Sequence, residues 1–160
     1  MTTKKLQSAR NYLYNHMRDI GKSGNLLLLL EEERYIVAND LVKYGNSKSM
    51  ISSLKTALTE IDTVRKHAAF IENPEKYQVI NEAYNLPKNR KGGLPYDEAR
   101  QAMASHYTRL GNLDKSRLTD IEKAIIDVRR DNMKVMRKLY EKMQAKAIGI
   151  DLARDKGHSL

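Results

Sequence analysis

Apolar positions along the chain recur at alternating steps of three and four residues, and no run alternates in the manner of a strand, so the pattern predicts helices throughout. Leu6, Ala9, Leu13, Met17 and Ile20 form one stripe over about Thr3 to Ile20, closed by Gly21 and Gly24. Tyr12, Tyr14 and His16 sit beside that stripe and leave one or two rings exposed. Asn25 caps a second helix that runs to Tyr44 and stops at Gly45-Asn46. Five successive leucines from Leu26 cover every face of its first turns, which predicts burial nearly all round, whereas Glu31, Glu32, Glu33 and Asp40 read as a solvated acidic turn.

Ser47 or Ser49 caps a third helix with a continuous seam of Met50, Leu54, Ala57, Ile61, Val64, Ala68 and Ile71, ending before Pro74. A short helix follows from Pro74 to Tyr84, then a loop over 85–95 with two prolines, two glycines and the cations Lys88, Arg90 and Lys91. A fifth segment, Tyr96 to Leu110, presents Ala99, Met103, Ala104 and Tyr107 on one face and ends at Gly111.

The stretch from Asp114 to Ile148 organises the rest. Leu118, Ile121, Ile125, Val128, Val135 and Leu139 mark a buried seam, with Asn132 where another apolar residue is due. A helix of about 30 residues measures about 45 Å, more than the diameter of about 40 Å of a compact globule of this size. Thr119 and Glu122 have the spacing of a capping box. Past Val135 the stripe drifts to Met136, Tyr140, Met143, Ala147 and Ile150, so the last turns face something different from the first. The expected architecture is all-α: a bundle of about six helices with one long C-terminal helix, forming a single domain over 1–150 and a polar tail over 151–160.

Charge adds a second pattern. The chain has a formal net charge of +9, a balance that favours polyanions. On the long helix Arg130, Lys134, Lys138, Lys142 and Lys146 recur every fourth residue, with about 6 Å of rise between neighbours. Solvent-facing helices usually interleave acids with such cations, and between Lys134 and Lys146 only Glu141 does so.

Several classes of chemistry find no support. There is no cysteine, hence no disulfide frame or thiolate site. The histidines His16, His67, His106 and His158 lack metal-ligand spacing. Gly21-Lys22-Ser23 lacks the upstream glycine and the strand of a phosphate-binding loop. Tyr35 to Leu58 reads as a helical hairpin with no DNA-reading signature. No signal peptide or membrane-spanning run occurs, so the sequence predicts a cytoplasmic protein with no membrane association, no cofactor, no metal and no catalytic set.

The function expected is therefore non-enzymatic binding of RNA or DNA with low sequence specificity. Arg130, Lys134, Arg137, Lys138, Lys142 and Lys146, with the loop cations Lys88, Arg90 and Lys91, would hold phosphates. The alternative is a helical adaptor or inhibitor that grips a protein partner through Met136, Tyr140 and Met143. Independently of either function, Asn132 at the seam would set register between paired helices, which makes a homo-oligomer an expectation.

Overall fold

A computed structural model describes residues 3–72, 98–116 and 118–158, with 3, 6, 70 and 147–158 as backbone alone. The described residues form five helices and no strand: α1 (Thr3–Ser23), α2 (Leu26–Tyr44), α3 (Lys48–Glu72), α4 (Glu98–Gly111) and α5 (Asp120–His158). The helix expected over 74–84 and the basic loop over 85–95 lie outside the described residues.

Local chemistry sets the helix ends. Asn25 Oδ1 accepts from the Leu28 amide at 3.1 Å, and Ser47 Oγ accepts from the Met50 amide at 3.3 Å, each satisfying a donor that the helix itself leaves free. Thr119 and Glu122 form the reciprocal box, Glu122 N donating to Thr119 Oγ1 and Thr119 N to Glu122 Oε1, both at 3.3 Å. The long helix thus begins at Asp120 rather than Asp114, whose carboxylate instead holds a turn through the Ser116 amide. It continues through the expected polar tail to His158. Its 39 residues span about 58 Å. Gly21 does not end α1; Gly24, at a left-handed φ of 66°, takes that role.

Cross-helix pairs fix the topology. Arg34 meets Asp62, His67 meets Glu98 while Arg109 meets Glu60, and Arg100 meets Gln144 while Arg130 meets Tyr107, so α2, α3, α4 and α5 run alternately up and down. These four helices close a ring around the core, and α1 lies along α5, running parallel to it, with Arg10 beside Glu122 and Met17 beside Asn132.

The seams differ in register from the sequence pattern. On α5 the buried positions with described side chains are Ile125, Ile126, Arg129, Asn132, Met133, Met136, Tyr140 and Gln144, a seam displaced by about one residue from the predicted one, of which only Ile125 and Asn132 are fully buried. On α4 they are Ala99, Ala102, Met103, His106 and Leu110, while Ala104 faces out. The five leucines of α2 are not buried all round: Leu27 and Leu28 remain 37% and 39% exposed, because α3 and α5 cover one side of this helix and α1 touches it little.

Candidate nucleic-acid interface

At the middle of the bundle each of the four ring helices places one titratable side chain at a seam position: Glu33 on α2, Glu60 on α3, His106 on α4 and Arg129 on α5. Arg129 Nε donates to both Glu33 carboxylate oxygens at 3.0 and 3.1 Å, and His106 Nε2 lies 2.8 Å from Glu33 Oε1. On its other side the His106 ring turns Nδ1 toward Glu60 Oε1 at 3.7 Å, too long for a hydrogen bond but within ion-pair range. Arg109 completes the layer, donating to both oxygens of Glu60 at 3.3 and 3.2 Å. The solvated acidic turn expected of Glu33 is thereby corrected. The carboxylate is 1% exposed and is held by two cationic partners, the condition under which a buried charge is tolerated.

Ionisation follows from that geometry. Burial alone would raise the Glu33 carboxyl, but the Arg129 charge and the His106 hydrogen bond outweigh it and bring it to about 2. Glu60 is likewise pushed up by burial and brought down to about 2 by the His106 ring facing it and by the hydrogen bonds from Arg109. Burial disfavours the imidazolium of His106, yet the flanking carboxylates Glu33 and Glu60 hold its pKa above the ordinary value. Asp40 is raised, first by burial and further by the charge of Glu33, against the pull of Arg129.

Shifted acids and bases in a cleft often mark an active site. Here the space among Glu33, Glu60, His106, Met133 and their neighbours admits no water-sized molecule, so the layer offers no room for a substrate. Among the described residues no group of three potential ligands converges as a metal site, and no helix is long and apolar enough to cross a membrane.

The exposed face of α5 is different. Lys134, Lys138, Lys142 and Lys146 are all exposed, and none forms an ion pair among the described residues. Glu141, the acid that interrupts their run, is turned aside: Arg137 Nε donates to it at 3.1 Å and Arg100 Nε lies 4.0 Å away. Arg130 departs from the expected ridge. Its guanidinium lies over the Tyr107 ring, 4.0 Å from the centroid, half-buried against the end of α4 at Gly111. Lys88, Arg90 and Lys91 lie outside the described residues.

The expected protein-binding face is not on the surface. Met136 and Tyr140 are each 1% exposed and belong to the core, with Met143 packed against it, because the true seam of α5 passes through these positions. Asn132 is buried as well. Its Nδ2 donates to the Met17 carbonyl at 3.1 Å, so it sets the register of α1 on α5 within one chain, and the self-association argued from it loses its basis. Between α4 and α5, beside Lys134, lies an open cleft of about 220 Å³ that the sequence pattern did not reveal.

Compared with models of known families, with curated proteins and with solved structures, the chain matches none.

Proposed function

We propose that the chain is a non-enzymatic nucleic-acid-binding protein of low sequence specificity, whose contact surface is the lysine ridge of α5. The observation that carries this reading is the run of four exposed lysines, Lys134, Lys138, Lys142 and Lys146, free of carboxylate partners among the described residues. Arginines elsewhere, such as Arg10, Arg34, Arg100, Arg109 and Arg129, are engaged with acids or amides of the protein. The helix rise sets these charges about 6 Å apart along its axis, similar to the spacing of phosphates along a strand. Such contacts attract and align a polyanion without reading its bases, because every nucleotide presents the same phosphate.

The test is binding of fluorescently labelled RNA and DNA to the purified protein and to the variant Lys134→Glu/Lys138→Glu/Lys142→Glu. All three positions are exposed, so the variant retains its helical circular dichroism and loses binding. Equal binding by the two proteins would contradict the reading.

A further inference from the structure

We infer that the cleft between α4 and α5 is a slot for one unpaired base, which makes the ligand of the ridge a single strand; this rests on the nucleic-acid reading above. The floor of the cleft is apolar, made by Met103 and Met133 from the core, and Tyr107 forms a wall. Thr108, Lys134 and Arg137 line it as well, and Thr108 and the two cations are exposed. Lys134 belongs both to this lining and to the ridge, so a strand laid on the lysines passes the cleft.

Size selects the occupant. A dry cavity of about 150 Å³ accepts benzene, and pockets for drug-sized ligands begin at about 300 Å³. At about 220 Å³ the cleft takes one planar ring system and little more. Charge narrows the choice further. Lys134, without a carboxylate partner among the described residues, beside an apolar floor suits an uncharged ring that carries anionic groups at its edge, with Arg137 held at the rim by Glu141. A nucleotide within a strand is such an object, its base flanked by phosphates. Methionine side chains adapt to the flat face of a ring through their polarisable sulfur. A base inside a duplex is stacked and paired, and would have to be extruded at a cost that single strands avoid. Contacts of this type tolerate any base, in keeping with low specificity.

The experiment compares, by fluorescence anisotropy, a labelled single strand of about 12 nucleotides, an abasic strand with the same number of phosphates, a duplex of the same length and a free mononucleotide. Each is measured against the native protein, Ala104→Phe and Thr108→Phe. Ala104 and Thr108 are exposed residues of the lining, so either phenylalanine fills the cleft from outside, and the second substitution serves if the first disturbs folding. The native protein is expected to bind the natural strand about 5- to 150-fold more tightly than the abasic one, the range for one stacked base. Filling the cleft should erase that advantage and leave abasic binding unchanged. Natural and abasic strands bound equally tightly and with the same salt dependence would overturn the slot and leave the ridge standing. Duplex bound as tightly as single strand, or the free mononucleotide bound as tightly as the strand, would overturn the inference too. Failure of every strand to bind would overturn the ridge together with the slot.

Discussion

Arg129 holds Glu33 across the centre of the bundle, its Nε within 3.1 Å of both carboxylate oxygens although the two residues are 96 positions apart in the chain. A buried pair of this kind contributes little net stability against an apolar equivalent of the same shape, but leaving one member alone strands a charge. Glu33→Ala and Arg129→Ala are each expected to cost about 3–5 kcal/mol, whereas Glu33→Leu combined with Arg129→Met should cost much less than their sum. Urea unfolding of the four proteins checks this, and additive losses would contradict it.

The same layer sets a pH profile. Glu33 and Glu60, lowered from 4.5 to about 2, contribute stability that is complete above their unfolded pKa and lost as pH falls toward their folded values. His106, raised from 6.5, contributes stability that is complete below 6.5 and lost as pH rises through its folded pKa. Asp40, raised from 3.8, loses stability over the rise through its own folded value and partly offsets the gain from the glutamates. Stability measured by thermal unfolding should therefore be greatest between pH 4.5 and 6.5. His106→Gln should flatten the alkaline limb; an unchanged limb would show that His106 does not titrate there.

Gly21 marks a close approach of α1 to α5, since an added Cβ would overlap Asn132 Oδ1. Alanine gains up to about 1 kcal/mol in helix propensity, but displacing Asn132 breaks its bond to the Met17 carbonyl and leaves buried polar groups unpaired, at about 1–3 kcal/mol. The loss prevails, so Gly21→Ala should lower the urea midpoint. Gly21→Ala in an Asn132→Ala background should no longer do so.

Met136→Ala should act on folding rather than on any surface contact. It removes a fully buried side chain from the core and is expected to cost about 2–5 kcal/mol, read as a lower urea midpoint. Retention of full stability would place Met136 outside the core.

Most helix ends were legible in the sequence because they rest on local chemistry: Asn25, Ser47 and the Thr119–Glu122 box cap as their spacing predicts. The register of the seams is less legible, because charged residues at seam spacing read as surface positions. Glu33 lies four residues before Val37, His106 between Met103 and Leu110, and Arg129 between Ile126 and Met133, all at seam spacing. That spacing was the available signal; the partner that makes each burial tolerable comes from another helix and has no trace in local sequence. With Arg129 read as a surface position, the predicted α5 seam falls about one residue early and Met136 and Tyr140 are wrongly expected at a surface. The ridge lysines were visible because exposure asks nothing of the rest of the chain, while the cleft beside Lys134 depends on how α4 meets α5.

The salt dependence of single-strand binding tests the ridge most directly. Four lysine–phosphate contacts on a single strand predict a log–log slope of about −3, so the native protein should lose about 50-fold in affinity between about 50 and 200 mM salt. Lys134→Glu/Lys138→Glu/Lys142→Glu should show no measurable binding at the lower salt. A native slope near zero, or a variant that binds with the native affinity and slope, would contradict the assignment of the α5 lysines as the phosphate-contacting surface.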